Sequence, residues 1–346
     1  MKVRGFGVTF WDVGQGDCST ITLPDGRLII IDVGPRGSPL IDWLHDKPRQ
    51  IHAVVLTHND SDHVGALPAL VGSFKDRIQN FYMLVDRPTN DKIFDKTFRC
   101  ALEGERLRHY QIQRLEAGAV VWKDSNLNAN LVPVFPNMSG NVLASTPNKT
   151  SGILCLNFNG KTEIIWPGDS ELGRVANKCS DTKPFVLFGP HHGAPADYKK
   201  AIAPKAINAV GARRAFISVG TKNKHSHPRP KYLQLLERGG CRLVCSQITN
   251  ACDPNTVRRN RSVMATHLGL GLRPPRSGVS CRGAWQIYWN GSSFETDLFD
   301  EEHLNRISDL RRPQCLRGRA YAENLQTKVL WRITEFFKSK RVVGRG

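Results

Sequence analysis

Four times between residues 57 and 228 an apolar run ends in a short loop crowded with histidine, aspartate and glycine. The loops read "THNDSDHVG" (57–65), "WPGDSE" (166–171), "GPHHGAPAD" (189–197) and "NKHSHP" (223–228). The runs before them, such as "IHAVVL" and "TEIIW", read as buried strands. Strands whose following loops all carry polar clusters belong in a layered sheet protein, where strand-end loops meet on one rim and build a site. Asp and Asn in loops ordinarily cap turns, and that explains any one of these segments. It does not explain four in succession.

The rest of the chain agrees with a layered fold. "VTFWDV", "CSTITL" and "RLIIIDV" are separated by "GQGD" and "PDG", the residues of tight turns. "SPLIDWLHD" reads as a short helix with Ser38 as its cap and Pro39 in its first turn. "VGALPALVGSF" opens a second helix, and "ALEGERLRHYQIQRLEAG" (101–118) forms another. "NFYMLVD", "AVVWK", "LVPVF" and "GILCLNF" are further strands. This mixture points to a layered α/β or α+β domain. Residues 1–245 read as one unit and 246–346 as a basic C-terminal extension packed on it. No apolar run is long enough to span a bilayer, and the N-terminal residues lack the pattern of a signal peptide. A cytoplasmic location is the expectation. Nine cysteines in 346 residues do not suggest a disulfide-stapled secreted scaffold.

Charge narrows the partners. The formal net charge is +18 and the isoelectric point about 9.8, which favours a polyanion, nucleic acid being the commonest. From Arg311 to Gly346 there are ten Lys or Arg and two Glu. "AENLQTKVLWRITEFFKSKRV" has helical spacing, with Leu325, Val329, Trp331, Ile333, Phe336 and Phe337 partly on one side. A docked helix with a basic outer face follows. Arg311, Arg312, Arg317, Arg319, Lys338, Lys340 and Arg341 are the candidate phosphate contacts, and the extension is also a candidate surface for a protein partner.

Histidine and aspartate together suit borderline and hard divalent ions, zinc and manganese among them. A pair of such ions can activate water and orient a phosphoryl group. A second set, Cys241, Cys245, Cys252 and Cys281, is a candidate structural zinc site, although its spacing is not the tight paired pattern. Isolated cysteines are most often small buried hydrophobes. Cys18 has no histidine beside it in sequence to make it a nucleophile.

"DVGQGDCSTI" (12–21), "LIIIDVG" (28–34), "LTHNDSDHVGAL", "PGDSE", "FGPHHG" and "ISVGTKNKHSHP" occur in the order seen in the metallo-β-lactamase superfamily. They resemble most the branch typified by the hydrolase domain of the bacterial DNA-uptake (competence) channel protein. The resemblance covers roughly residues 5–240. It implies an α+β fold, a four-layer αβ/βα sandwich, with one or two divalent ions at one edge.

On the same resemblance His58 and Asp60 hold the first ion, Asp62 and His63 the second, Asp169 bridges them, and His227 completes the second site. His191 or His192 lies against the first ion or the scissile phosphate. Asp62, His191 and His192 are the implied catalytic groups. Asp12 and Asp17 belong to a turn beside the centre, where Asp17 would orient a metal-bound histidine. The histidine that true β-lactamases carry between the first cluster and the bridging aspartate has no counterpart, and Asn148 and Ser151 stand nearest to it. Asp60 replaces a histidine common in the family, a harder oxygen ligand that points toward phosphodiesters and manganese. The implied function is a metal-dependent phosphodiester hydrolase, a nuclease using a metal-bound hydroxide. The alternatives are a hydrolase of a cyclic nucleotide or other phosphorylated small molecule, and a nucleic-acid-binding or assembly protein with little catalysis.

Overall fold

β-Branched and aromatic residues fill the N-terminal runs, and these form six strands of one sheet. They are β1 (Gly7–Phe10), β2 (Cys18–Thr22), β3 (Leu28–Val33), β4 (Ile51–Val55), β5 (Ile78–Met83) and β6 (Gln111–Arg114). A computed structural model describes residues 5–84, 91–136, 150–194, 202–254 and 278–296, with positions 303, 307, 310 and 313. Strands β1 to β3 run antiparallel, and β3 to β6 are parallel. The second sheet holds β7 (Trp122–Asp124), β8 (Ala129–Phe135), β9 (Ile153–Phe158), β10 (Lys161–Trp166), β11 (Val186–Phe188), β12 (Arg214–Ile217) and β13 (Arg242–Cys245) in sequential order. The chain then returns to the first sheet. β14 (Trp285–Trp289) pairs antiparallel with β1, and β15 (Phe294–Glu295) forms the edge.

The period-two alternation of the strands sorts the core into three slabs. Ile29 and Ile31 of β3 face Leu154 and Leu156 of β9 between the sheets, joined by Phe10, Trp166, Phe188 and Phe216. Leu28 and Ile30 face the other way, onto Leu40 and Leu44 of α1 (Pro39–Asp46). The short α2 (Ser61–Val64) precedes α3 (Leu67–Phe74), whose Leu67, Leu70 and Phe74 join that outer slab. After α4 (Asp91–Arg106), three helices cover the second sheet: α5 (Leu172–Cys179), α6 (Ile202–Val210) and α7 (Pro230–Arg238). Their apolar faces meet Ile153, Cys155 and Ile165. The protein is therefore an α+β sandwich, with helices outside two face-to-face sheets.

Two local expectations change. Ser38 takes the cap position of α1 but makes no side-chain cap hydrogen bond. The helix expected over 101–118 ends at Arg106, and residues 111–114 form β6 instead. Arg108 turns the chain with a left-handed φ of 58°, and the parallel pairing of β6 with β5 outweighs helix propensity in "YQIQR". Residues beyond 245 supply β14 and β15, and Trp285 stacks at 5.3 Å on Phe10 in the central slab. No helix among the described residues is long and apolar enough to cross a membrane. The C-terminal apolar stripe from Leu325 to Phe337 lies outside the described residues, as do Arg311, Arg312, Arg317, Arg319, Lys338, Lys340 and Arg341.

Candidate metal centre

The polar loops converge because the two sheets present the ends of their parallel strands at the same edge. Asp32, at the end of β3, sits at a left-handed φ of 52°, and its carboxylate accepts the Thr57 N–H at 2.8 Å and the Thr57 hydroxyl at 2.7 Å. This ties the exit of β3 to that of β4. α2 then lifts Asp62 and His63 over the sheet edge, with the His63 N–H bonded to the Asp60 carbonyl at 2.9 Å. After β10, Gly168 has a φ of 51°, and a Cβ there would stand 2.3 Å from Ser151 Oγ and 2.7 Å from Thr57 Oγ1. Only glycine lets Asp169 approach so closely. His191 and His192 both adopt left-handed φ, 48° and 51°, in the 3-10 turn Pro190–Gly193. Such conformations persist where the surroundings over-determine them.

Asp169 lies at the centre of the cluster, and its two oxygens face different partners. Oδ1 is 3.2 Å from His63 Nε2 and 3.7 Å from His192 Nε2. Oδ2 is 3.6 Å from His58 Nε2 and 3.4 Å from His191 Nε2. Asp62 Oδ2 approaches His192 Nε2 to 3.2 Å, and Asp60 Oδ2 approaches His58 Nε2 to 3.7 Å. Ligands about 2.0–2.2 Å from one tetrahedral zinc stand about 3.4 Å from each other, the spacing seen here.

His58 Nε2, His63 Nε2, His192 Nε2 and Asp169 Oδ1 are all shut off from solvent and make no hydrogen bond. Buried polar atoms are nearly always paired, and here four unpaired ones face one another. The residues fit a divalent cation. Among the described residues, two triads bring ligand atoms within 4.8 Å of one another: His58 with His63 and Asp169, and Asp17 with His63 and His192.

The far side of each imidazole explains why its Nε2 faces inward. His63 Nδ1 lies 2.8 Å from Asp32 Oδ2, an acceptor, so Nδ1 carries the proton. His192 Nδ1 donates to the Ser218 carbonyl at 3.0 Å, with Asp17 Oδ1 3.1 Å away. His58 Nδ1 lies 3.2 Å from Thr57 Oγ1 and 3.4 Å from Ser151 Oγ. The Thr57 hydroxyl proton is committed to Asp32, which leaves its oxygen free to accept from His58. Ser151 Oγ also accepts the Asp169 N–H at 3.0 Å. Asp32, Thr57, Ser151 and Ser218 thus set the tautomers of three histidines and the position of the central carboxylate.

The electrostatics follow from crowding. Burial pushes Asp169 up, but His63, His58 and His192 overcome this and hold it well below the usual carboxylate range. Burial and the His63 ring lower His58, yet Asp169 and Asp60 raise it to about 9. His63 and His192 also stand well above an ordinary imidazole despite burial, because three carboxylates surround each. Asp62 is lowered against burial by His192 and His63, whereas Asp17 is raised because burial outweighs the same two rings. Burial lowers His191 and takes His227 to about 4. Without metal the cluster holds protons where cation ligation would require lone pairs, so metal uptake must release protons.

The other residues read from sequence distribute as follows. His227 lies beside His191, ring centroids 5.8 Å apart, and stacks on His225 at 5.6 Å; it belongs to neither triad. Asp12 faces away from the histidines described above: its carboxylate accepts from Gln247 Nε2 at 2.9 Å, from the Gly14 N–H at 3.3 Å and from the Ser280 hydroxyl. Asn148 lies outside the described residues. Cys241 donates its thiol to the Ala212 carbonyl at 2.9 Å. Asp32, Thr57 and Ser218 were not singled out from the sequence. The signal for Asp32 was its place as the one charged residue closing "LIIIDV", buried with the strand.

Residues 11–92 match the family described as the metallo-beta-lactamase superfamily. ComE operon protein 3 of Bacillus subtilis (strain 168) is 28% identical over 258 residues, which cover 67% of this chain and 31% of that protein. The chain thus spans about a third of that relative's length. Among solved structures, the metallo hydrolase Igni18 from Ignicoccus hospitalis KIN4/I is 16% identical, covering 69% of this chain and 95% of its own, with a TM-score of 0.41. The metallo-beta-lactamase fold protein YhfI from Bacillus subtilis is 10% identical, with coverages of 69% and 96% and a TM-score of 0.42.

Proposed function

The chain carries a metallo-beta-lactamase superfamily domain, and from that premise we propose that it is a divalent-metal hydrolase of phosphodiesters acting on nucleic acid. The observation that carries this reading is the division of Asp169, with one oxygen toward His58 and the other toward His63 and His192. In this reading His58, Asp60 and Asp169 would hold one ion, and Asp62, His63, His192 and Asp169 would hold the other. Zinc or manganese bound there would lower the pKa of water and shield the charge of a phosphoryl group.

The chain's own residues do the rest. Asp32, Thr57, Ser151 and Ser218 keep the ligand atoms aimed before any ion arrives, which removes reorganisation from the reaction. His191, with a side chain 29% exposed, is the cluster histidine that a substrate can reach. It and His227 are both lowered below the ordinary imidazole value, so each is neutral near pH 7 and offers an N–H to a phosphoryl oxygen. The set is three carboxylates and three imidazoles with no sulfur, which suits zinc or manganese. The net charge of +18 favours a polyanion and predicts salt-sensitive binding.

The test is cleavage of labelled single- and double-stranded DNA and RNA with zinc, manganese and magnesium, beside a His63→Ala, Asp169→Ala double variant. Cleavage by the wild type alone is expected. Equal cleavage by both proteins, or none by a fully metal-loaded wild type, refutes the proposal. Turnover of a cyclic mononucleotide without salt dependence would move the substrate to a small phosphorylated molecule.

A further inference from the structure

Cys241, Cys245, Cys252 and Cys281 belong to neither ligand triad. The chemistry that lies nearest the metal centre without serving it is in the loop between β12 and α7, where histidines form a ladder. His191 Nε2 is 3.4 Å from Asp169 Oδ2. The ring centroids of His191 and His227 are 5.8 Å apart, and those of His227 and His225 are 5.6 Å apart. The last two rings are nearly parallel, at an interplanar angle of 13°. His227 is buried, at 7% exposure, and His225 is exposed. The ladder thus leads from the central carboxylate to the surface.

The loop that carries these rings is held firmly. Asn223 Nδ2 donates to the Gly220 carbonyl at 2.7 Å and to the His227 carbonyl at 2.8 Å, and its Oδ1 accepts the His227 N–H at 2.7 Å. The Arg229 N–H donates to the Gly193 carbonyl at 3.0 Å, which joins the loop to the turn of His191 and His192. Ser226, between the two stacked histidines, has a left-handed φ of 56°, a conformation that the surroundings must hold. A binding surface fixed in advance spares the cost of ordering it when a ligand arrives.

Two further features point to a ligand. His227 Nδ1 is shut off from solvent and makes no hydrogen bond among the described residues, whereas buried polar atoms are nearly always paired. Lys222 and Lys224 are exposed beside the rings, and residues 222–231 hold four Lys or Arg and no Asp or Glu. Such a loop attracts phosphates, and a flat exposed ring among the cations suits what phosphates carry, the bases.

We propose that His225, backed by His227, is a stacking platform for an unpaired nucleobase next to the scissile phosphate, so that the substrate is single-stranded nucleic acid. This rests on the phosphodiester reading above. Each step of the ladder is under 6 Å, so a base joined through one sugar to a phosphate at His191 can reach His225. Bases in a duplex are occupied with one another, whereas a base in a single strand offers a free face. Every base has such a face, so the platform favours single strands without reading their sequence.

Steady-state cleavage by the metal-loaded whole chain tests the proposal. One substrate is a labelled single strand; the other is an oligomer of abasic tetrahydrofuran nucleotides of the same length, which keeps every phosphate and lacks the bases. The wild type should show a KM about tenfold lower for the base-bearing strand, within the roughly 5–150-fold that stacking of one base supplies. His225→Ala should erase that preference, and do so through KM rather than kcat. His225→Phe, which keeps a flat face, should restore it. Position 225 is exposed, so neither substitution opens the core. A preference that survives His225→Ala, a His225→Phe variant no better than His225→Ala, or a wild type that treats the two oligomers alike would each overturn the platform while leaving the hydrolase reading intact. A metal-loaded wild type that cuts neither oligomer would instead bring down the phosphodiester reading, and the platform with it.

Discussion

Asp32→Asn separates the charge of the orienting carboxylate from its shape. Position 32 has a φ of 52°, a conformation that Asn adopts as readily as Asp, so the backbone is not disturbed. The wild-type carboxylate accepts from Thr57 N at 2.8 Å, from Thr57 Oγ1 at 2.7 Å and from His63 Nδ1 at 2.8 Å. The amide keeps one oxygen for the Thr57 N–H and places an NH2 where Oδ2 had been. The Thr57 hydroxyl can rotate to accept. His63 can accept at Nδ1 only by moving its proton to Nε2, the atom that lies 3.2 Å from Asp169 Oδ1. A cation must then displace that proton.

A hydrogen bond to a charged group contributes about 1.5–3 kcal/mol. Loss of an orienting partner behind a metal ligand lowers affinity about 10–100-fold, or about 1.4–2.8 kcal/mol at about 1.4 kcal/mol per decade. The two figures agree. Chelator competition measures the metal dissociation constant, and urea unfolding of the metal-free protein monitors the fold. Affinity should weaken within that range with the urea m-value unchanged. A variant that folds with the same m-value and binds metal as the wild type does would refute the reasoning.

Gly168→Ala should destabilise the fold by about 1–3 kcal/mol in urea, because the added methyl meets Ser151 Oγ and Thr57 Oγ1 at a left-handed position; an unchanged midpoint would show that this crossing is loose. For the metal-free protein, the raised His58 predicts a pH dependence with a definite sign. Its stabilising contribution is full below about pH 6.5, the ordinary imidazole value, and fades as pH rises through about 9. Urea midpoints across that window should fall, and a rise would contradict the pairing of His58 with Asp169. Trp285→Ala should cost about 3–5 kcal/mol, since the indole is fully buried against Phe10 and Phe216. Near-wild-type stability would mean that β14 lies outside the cooperative fold.

What could be read from the sequence was what is local along it. Most strands before β13 announced themselves as apolar or alternating runs, and each polar loop by its composition, so the layered fold and the cluster around "HNDSDH" were legible. Asp32 was not, because its meaning lies in Thr57 and His63, 25 and 31 positions onward. His191 and His192 are indistinguishable as neighbours in a sequence. Two successive left-handed residues turn one ring to the Oδ2 side of Asp169 and bury the other against Asp62. The helix expected over 101–118 failed for a related reason. Leu, Glu and Arg favour helix locally, but β5 offers residues 111–114 a partner that propensity does not know about.

The return of the chain to β1 bears on how the molecule is made. β1 has β2 beside it almost at once, but its other edge waits for β14. Asp12 likewise waits for Ser280, 268 positions later. During synthesis β1 therefore emerges with an open, apolar edge that any other strand can pair with. Closure is a long-range event of the kind that slows folding. That edge of β1 stays open until Trp285–Trp289 has left the ribosome.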